Sequence, residues 1–272
     1  MTGAIGNNSI MSFSLRLFLS LLLTPFLVSA AHAITLDWDT VTWTPGSLSN
    51  SYDVDPTKPG NDISVNITGD TGQFAPKGGS TIPAIMNIIE GGLTPVQNAL
   101  VLHLDLANQS QFVTVTVNFS ASYTLGVNNV SFTIFDVDFA SSAFQDQLSS
   151  ITALSIDGTT LVAPTITTSS GNSLSGSGLN QIVTGLNNNP DTGAGSDSGN
   201  VTISFGATAI KSFTFTYGSG ATAPADPSTQ GIALHDITFT PVPELNPAWS
   251  GLAACLVAIG LAFRHHANVR RK

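Results

Sequence analysis

Three aspartates in the middle of the chain are the residues best placed to do chemistry. Asp136 and Asp138 stand in the run Phe132–Phe139, and Asp146 follows it. If that run is a strand, both side chains point to one face, about 7 Å apart. Two carboxylates held together repel, so they invite a cation or raise the pKa of one of them. Calcium takes six to eight oxygens, which Asp146 and loop carbonyls could complete. The spacing therefore predicts a calcium site at Asp136, Asp138 and Asp146.

Two other interpretations of these aspartates stay open. The strand could run into a solvated loop in which the carboxylates only end it. They could also be a catalytic pair, as in a glycosidase that holds two carboxylates across a cleft. Asp136 and Asp138 meet that distance only through their adjacency in the chain.

The rest of the chain predicts no catalytic residues. The histidines between the two chain ends are His103 and His235. His235 stands beside Asp236, which could orient it, but no activated serine motif accompanies the pair. No metalloprotease helix motif, phosphate loop or cysteine nucleophile appears either. We therefore predict that the protein is not an enzyme.

The elements that must position these residues are strands. Apolar and polar residues alternate with period two, which indicates strands with one face on a core and one in water. Asp157-Gly158 predicts a hairpin turn, and Ile82–Glu90 predicts one or two turns of helix. The alternating segments are Ile34–Trp38, Ile63–Ile67, Leu102–Leu106, Val113–Phe119, Val130–Ile134, Leu154–Ile156, Val201–Phe205, Phe213–Tyr217 and Ile237–Phe239. This pattern predicts an all-β fold, an antiparallel β-sandwich of jelly-roll type.

Charge is divided between the middle of the chain and its ends. All seventeen acidic residues lie from Asp37 to Glu244, with Lys58, Lys77 and Lys211 as the basic residues among them, a net charge of about −14. Such a surface repels phosphate backbones, so nucleic acid is excluded as a partner. The single cysteine, Cys255, leaves no disulfide to stabilise this part.

The N-terminal segment has the pattern of a secretory signal peptide. Arg16 precedes the apolar run Leu17–Val28, and Ala31 and Ala33 form a small-x-small cleavage site around His32. Signal peptidase and the secretion machinery are the partners this pattern predicts, with a mature chain that begins near Ile34. Met11 is an alternative start.

The C-terminal segment has the pattern of a short membrane helix. Val242, Pro243 and Glu244 precede the apolar run Ala248–Phe263, about sixteen residues and about 24 Å long as a helix. Such a run is a marginal span for a hydrocarbon core of about 30 Å. The basic end, residues 264–272, favours the cytoplasmic side. The preceding part of the chain would then lie outside the inner membrane.

This tail resembles the PEP-CTERM sorting signal of Gram-negative bacteria. The resemblance rests on Val242-Pro243-Glu244, the short apolar helix and the arginine-rich end, and it implies processing by an exosortase-like peptidase. The chain departs from the pattern because Leu245 replaces the second proline and residues 265–269 interrupt the basic end. A permanent anchor is the alternative.

The middle of the chain is similar to β-sandwich domains of exported bacterial proteins of unknown role. The shared features are the strand that ends in Asp136-Val137-Asp138, the strand start Ser198–Val201 and the closing strand Ile232–Phe239. This resemblance implies an architecture and no activity.

Together these patterns predict three parts: a signal peptide in residues 1–33, a β-sandwich in 34–240, and a sorting signal in 241–272 with its helix at 248–263. We expect a non-enzymatic protein of the cell surface or extracellular matrix, held in the inner membrane at least transiently. The alternative is a calcium-dependent module that binds extracellular polysaccharide, and a third hypothesis is a polysaccharide-active enzyme.

Overall fold

The computed structural model describes residues 32–186 and 196–244, which lie within one compact unit. These residues form seventeen strands and two short 3-10 turns, at Thr71–Gln73 and Gly178–Asn180. The strands are β1 (Ile34–Leu36), β2 (Ser49–Tyr52), β3 (Ile63–Gly69), β4 (Ala84–Met86), β5 (Ala99–Leu104), β6 (Phe112–Phe119), β7 (Val127–Phe135), β8 (Phe139–Ala140), β9 (Phe144–Ser155), β10 (Leu161–Val162), β11 (Thr165–Thr168), β12 (Asn172–Ser175), β13 (Ile182–Gly185), β14 (Val201–Ser204), β15 (Ile210–Ser219), β16 (Gln230–Leu234) and β17 (Ile237–Pro241).

The strands form one curled antiparallel network with two sides. Sheet I has the order β2-β3-β6-β15-β9-β13-β12. Sheet II has the order β4-β5-β16-β7-β14-β11. Strand β17 follows β16 and pairs with the same edge of β7, and β1 pairs with the other edge of β17. The two sides meet where Ile210 of β15 pairs with Val127 of β7. The predicted antiparallel β-sandwich of jelly-roll type is confirmed.

The main core lies between the two sheets and follows the alternation in the sequence. Val113, Val115 and Val117 of β6 are fully buried, while Thr114 and Thr116 between them face outward. Apolar side chains of β15, the neighbour of β6 in sheet I, and of β7, β16 and β17 in sheet II belong to the same core. Burial at about 25 cal/mol per Å² of apolar surface is the main stabilising contribution that such a core makes.

A second apolar cluster lies on the outer side of sheet II. It contains Val101 of β5, Phe135 of β7 and Ala233 of β16, each adjacent in its strand to a residue of the main core. The segment Ile82–Leu93, which we call the covering segment, packs on these residues with Ile82 and Ile89. One part of the outer face of sheet II is therefore shielded from water.

The predicted helical turns at Ile82–Glu90 are wrong. That segment has no helical turn; bends flank its central residues, which form β4 and pair with β5 from Ala84↔Val101 to Met86↔Ala99. The apolar residues of this segment pack on the outer face of sheet II, and the burial they gain there outweighs the weak helical pattern.

One other local prediction, the hairpin, agrees with the structure. The hairpin at Asp157-Gly158 joins β9 to β10, with Leu154 opposite Leu161. The serine- and glycine-rich stretch after Ser169 forms two short strands, β12 and β13, which pair with each other and extend sheet I beyond β9.

The predicted helices at the two chain ends lie outside the described residues. The same holds for Ala31 of the predicted cleavage site and for residues 245–272 of the predicted sorting signal. Within residues 32–186 and 196–244, no helix has the length and hydrophobicity needed to cross a membrane.

Gly91 provides a test of the contact between the covering segment and sheet II. It has a φ of +56°, and a methyl group there would overlap the Phe135 ring. Gly60 has a similar φ of +78° but no atom within 4 Å of such a group. We expect Gly91→Ala to lower the free energy of unfolding by about 2–4 kcal/mol and Gly60→Ala by about 1 kcal/mol, measured by urea denaturation. Equal losses in the two variants would contradict close packing of the covering segment.

Candidate functional site

The three predicted aspartates lie around the end of β7, but not on one strand face. β7 ends at Phe135, and Asp136 and Asp138 stand in the connection to β8. Asp136 has a φ of +67°, in the left-handed region that aspartate tolerates better than most residues. The expectation of one strand face with a 7 Å spacing is therefore wrong, because the chain leaves the strand before the first carboxylate.

These aspartates are buried, which also contradicts the interpretation as a solvated strand end. Their exposed fractions are 6% for Asp136, 2% for Asp138 and 0% for Asp146. The backbone of Gly185 in β13 passes so close that a side chain there would overlap the carbonyl of Asp138. The connection after β7 is thus covered by its neighbours in sheet I.

Asp146 is the best-defined carboxylate of this group. Its Oδ1 accepts a hydrogen bond from the Tyr217 hydroxyl at 2.6 Å, and its Oδ2 accepts one from the Asp138 backbone N–H at 3.2 Å. The backbone N–H of Asp146 in turn donates to the Asp138 carbonyl at 2.9 Å. The structure therefore brings Asp138 and Asp146 into direct contact.

The electrostatics of this group favour the protonated form of Asp146. Burial raises the pKa of the Asp146 carboxyl well above its usual value of 3.8, and the charge of Asp138 raises it further. The hydrogen bond from Tyr217 opposes this shift, and the charge of Asp136 adds to it. Asp136, Asp138 and Asp146 thus act on one another electrostatically.

The fit of a metal ion to these residues is incomplete. In the part of the chain that the structure describes, no three His, Cys, Asp or Glu side chains are arranged to hold a metal ion. Both oxygens of Asp146 already accept hydrogen bonds, so a calcium ion would need the side chains to rearrange. Calcium at Asp136, Asp138 and Asp146 remains a prediction.

A second candidate site arises where β16 passes into β17. Leu234 and Ile237 are fully buried in the main core, and two residues, His235 and Asp236, stand between them where strict alternation allows one. This is the signature of a β-bulge, which re-aims side chains. Both His235 and Asp236 consequently lie on the outer side of sheet II.

His235 and Asp236 border a groove of about 390 Å³ on that outer face. The residues that line it come from four strands, β1, β7, β14 and β17, and from the connection between β16 and β17, and most of them carry hydroxyl groups. They are Thr35, Ser131, Phe132, Thr133, Thr202, His235, Asp236 and Thr238. The threonines form cross-strand pairs, with Oγ1 atoms 3.3 Å apart between Thr133 and Thr202 and 3.1 Å apart between Thr35 and Thr238.

The two ionisable groups of the groove are held in place. Oδ1 of Asp236 accepts a hydrogen bond from the Trp38 backbone N–H at 3.0 Å, and Oδ2 lies 3.8 Å from His235 Nε2. The same imidazole nitrogen is 3.1 Å from Gln97 Oε1, and the ring packs on Phe135 with centroids 4.9 Å apart. His235 thus joins the groove to the shielded part of sheet II.

Partial burial shifts both ionisable groups of the groove toward their neutral forms. Burial lowers the pKa of the His235 imidazole, and the charges of Asp236, Asp39 and Asp37 oppose this shift. Burial raises the pKa of the Asp236 carboxyl, which the hydrogen bond from Trp38 opposes. Among the lining side chains only His235 can carry a positive charge. The groove is therefore a neutral-to-negative surface rich in hydroxyls.

The aromatic residues near the start of the chain belong to the core. Trp38 lies edge-on to Trp43 and Tyr52, with ring centroids 6.5 Å and 6.0 Å away, and all three side chains are buried. They are therefore not available to stack on a sugar from outside. Trp38 is therefore a core residue, in agreement with the predicted alternation of Ile34–Trp38.

The predicted sorting residues lie directly after the last strand. Val242 donates a backbone hydrogen bond to the Gly126 carbonyl at 3.0 Å. Glu244 Oε1 lies 3.3 Å from Lys58 Nζ and accepts from the Thr124 backbone N–H at 3.2 Å. Pro243 and Glu244 are exposed, as is Ala33 at the other end.

Sequence patterns identified only part of the groove. The adjacency of His235 and Asp236 is visible in the sequence, as is the alternation that places Thr133, Thr202 and Thr238 outward. Their meeting in one groove depends on the neighbours of β7, since β14 and β17 approach it from opposite edges. No local signal in the sequence specifies those neighbours.

Comparisons with known proteins give fold-level likenesses only. No protein-family model and no curated protein matches the chain. Among solved structures it is similar to a carbohydrate-binding module specific for non-crystalline cellulose, at 10% identity and a TM-score of 0.36, over 61% of this chain and 85% of that one.

Two further solved structures are similar. One is a family 11 carbohydrate-binding module from Clostridium thermocellum, at 13% identity and a TM-score of 0.31, over 80% of this chain and 100% of that one. The other is an adhesin domain of Lys-gingipain from Porphyromonas gingivalis, at 9% identity and a TM-score of 0.30, over 76% and 97%. At these values the likeness says nothing about ligands.

The raised pKa of Asp146 predicts a distinct pH dependence of stability. Between pH 3.8 and the raised pKa, the folded protein holds a proton on Asp146 that the unfolded chain has lost. The free energy of unfolding therefore falls as pH rises through this window. Asp146→Asn retains an acceptor for the Asp138 N–H and removes the titration.

Melting temperatures from about pH 4 to about pH 7 test this pH dependence. We expect the melting temperature of Asp146→Asn to rise relative to that of the wild type as pH rises, because only in the wild type does ionisation of residue 146 favour the unfolded chain. Asp226→Asn, which removes an exposed carboxylate, is the control for net charge. A parallel pH profile for wild type and Asp146→Asn would contradict a raised pKa.

Proposed function

We propose that this chain is an exported, non-enzymatic β-sandwich protein of the cell surface or extracellular matrix, sorted by its C-terminal tail. The observation that carries the proposal is where the folded β-sandwich, strands β1 to β17, ends; we call this part of the chain the body. β17 ends at Pro241, and the next three residues are Val242, Pro243 and Glu244 of the predicted motif. Cleavage at the motif would leave every strand of the sandwich in place.

The beginning of the body supports the same proposal. β1 starts at Ile34, the residue after Ala33 of the predicted signal-peptidase site, and it pairs with β17 through Ile34↔Phe239. Both predicted processing positions are therefore exposed, adjacent to paired strands and outside the core. A peptidase can reach each of them without unfolding the sandwich.

The acidic surface agrees with an extracellular location of the body. Its seventeen acidic and three basic side chains keep it soluble and away from anionic surfaces. The alternative, in which the tail is a permanent anchor, differs only in whether the basic end remains attached.

Mass spectrometry of both termini tests the proposal. In a Gram-negative host with an exosortase-like peptidase, we expect a mature chain that begins at Ile34 and lacks Arg270, Arg271 and Lys272. Changing both Pro243 and Glu244 to Ala should block the C-terminal cleavage and leave the N-terminal one unchanged. Asp226→Ala, which removes an exposed carboxylate elsewhere, is the control for the loss of one carboxylate.

Three results would contradict parts of the proposal. Retention of Arg270–Lys272 in the wild type would make the tail a permanent anchor. Retention of residues 1–33 would exclude the secretion route proposed. Equal processing of the wild type and the Pro243/Glu244 double variant would exclude the motif as the recognition element.

A calcium-dependent carbohydrate-binding module is the second candidate. What favours it is the gathering of Asp136, Asp138 and Asp146 in one buried group, with Asp138 and Asp146 in direct hydrogen-bond contact. A bound divalent cation would stabilise the ionised carboxylates and offset their mutual repulsion.

Calorimetry with calcium tests this second candidate. A ligand present at about one hundred times its dissociation constant stabilises the folded state by about 2.7 kcal/mol, so binding at millimolar calcium should raise the melting temperature clearly. Replacing both Asp136 and Asp138 by Asn should abolish that rise. An unchanged wild-type melting temperature would contradict the calcium site, and a rise that survives in the double variant would locate the ion elsewhere.

A further inference from the structure

We propose that the groove at His235 and Asp236 is a binding site for a saccharide that carries no acidic groups. The proposal needs neither calcium nor the sorting tail, so it does not rest on the sorting proposal, and it shares with the second candidate function only the class of ligand. It rests on how the groove is built, on the chemistry of its lining and on the charge around it.

The groove results from a step on the outer face of sheet II. The covering segment shields Val101, Phe135 and Ala233, and the neighbouring part of the same face is left open. His235 lies at this step, with its ring against Phe135 and its Nε2 3.1 Å from Gln97 Oε1. The result is a volume of about 390 Å³, within the range of about 300–1,000 Å³ common to ligand pockets.

The bulge gives this groove a polar centre that an unbroken strand could not supply. Because His235 and Asp236 both stand between the inward-facing Leu234 and Ile237, two adjacent side chains reach the outer face. The Trp38 N–H fixes Oδ1 of Asp236. Its Oδ2, 3.8 Å from His235 Nε2, is too far for a hydrogen bond to that nitrogen and can accept one from a ligand.

Paired threonines surround this centre. A hydroxyl group can both donate and accept a hydrogen bond, so rows of threonine and serine match the hydroxyl groups of a sugar in either direction. The pairs Thr133–Thr202 and Thr35–Thr238 span β14, β7, β17 and β1 across the groove. They give a line of such groups along its length.

The charge of the groove selects among saccharides. Asp236 lies in it, and the charges of Asp37 and Asp39 act on both His235 and Asp236. No lysine or arginine is among the side chains that line it. A uronic acid or a sulfated sugar would meet repulsion without a compensating cation, whereas a neutral or amino sugar would not.

Isothermal titration of the full chain in mild detergent tests the proposal with four probes. They are the tetrasaccharides of β-1,4-linked glucose, N-acetylglucosamine, glucosamine and galacturonate. We expect at least one of the first three to bind and the galacturonate oligomer not to bind. Binding of none at millimolar concentration, or equal binding of the galacturonate oligomer, would overturn the proposal.

Two variants locate the binding. Asp236→Asn keeps an acceptor for the Trp38 N–H and should weaken binding about tenfold, the usual effect of losing a charge-assisted hydrogen bond. Replacing both Thr133 and Thr202 by Val removes two hydroxyls at nearly unchanged shape and should weaken it similarly.

A matched threonine pair on the other side of the sandwich supplies the control. Thr114 and Thr216 of sheet I have their Oγ1 atoms 3.0 Å apart, and replacing both by Val makes the same chemical change away from the groove. This control should bind like the wild type. Equal weakening by the control pair, or no weakening by either groove variant, would overturn the proposal.

Chemical-shift mapping on the wild type avoids any dependence on how the variants fold. Addition of the tetrasaccharide that binds should shift the amide resonances of Thr133, His235 and Asp236 and leave those of Thr114 and Thr216 unchanged. Shifts confined to residues outside the groove would overturn the assignment. Because this measurement is independent of processing, its failure would leave the sorting proposal unaffected.

Discussion

The pairing of β7 with strands at both of its edges is the constraint on which the rest of this structure depends. On one edge β7 meets β14, and on the other it meets β16 and then β17. Its inward residues Val130, Phe132 and Ile134 belong to the main core. Its outward residues include Phe135, under the covering segment, and Ser131 and Thr133, in the groove. One face of β7 is therefore buried in the main core, while the other face is partly covered and partly accessible to solvent.

The ends of β7 also locate the other two features of interest. Its C-terminal end leads into Asp136 and Asp138, and the residue before its N-terminal end, Gly126, accepts the hydrogen bond from Val242. The acidic group, the groove and the start of the tail are therefore positioned by one strand. A change in the register of β7 would exchange its inward and outward residues and disturb all three.

The alternation of apolar and polar residues was sufficient to predict the fold class and most inward positions. In β6 it predicted every buried valine, because one face of that strand meets the core and the other meets water. It failed where the outer face is also covered. The covering segment has a faint helical pattern at Ile82–Glu90, with Pro83 near its start and Gly91-Gly92 after it. Nothing local shows that its apolar residues pack on Phe135 and Ala233.

The candidate sites were less predictable than the fold because both depend on departures from regular strands. Asp136 leaves β7 through a left-handed residue, so a rule based on strand geometry does not apply to it. At His235 and Asp236 the bulge becomes visible only once Leu234 and Ile237 are known to be buried on the same side. The sequence shows the residue types at such places, while the partner strands decide where the side chains point.

Two buried carboxylates of the body, Asp55 and Asp146, have pKa values shifted in opposite directions. Asp55 Oδ1 accepts hydrogen bonds from the backbone N–H of Thr57 at 3.0 Å and from its hydroxyl at 2.6 Å. Burial acts to raise the pKa of Asp55, yet hydrogen bonds from Thr57 bring it below its usual value. Asp146 also accepts two hydrogen bonds, but its complete burial raises its pKa and the charge of Asp138 raises it further. Backbone and side-chain donors can thus keep a buried carboxylate ionised, and proximity to Asp138 works against this.

Two of the strands that border the groove, β1 and β17, are also the first and last strands of the body, so the groove shares strands with both predicted processing positions. Thr35 lies two residues after Ala33, and Thr238 lies four residues before Val242. The antiparallel pairing of Leu36 with Ile237 and of Ile34 with Phe239 holds the two threonines side by side. Because this pairing lies entirely within Ile34–Phe239, removal of both predicted end segments would leave the groove intact. A body delivered by the proposed route would therefore arrive with the groove already formed.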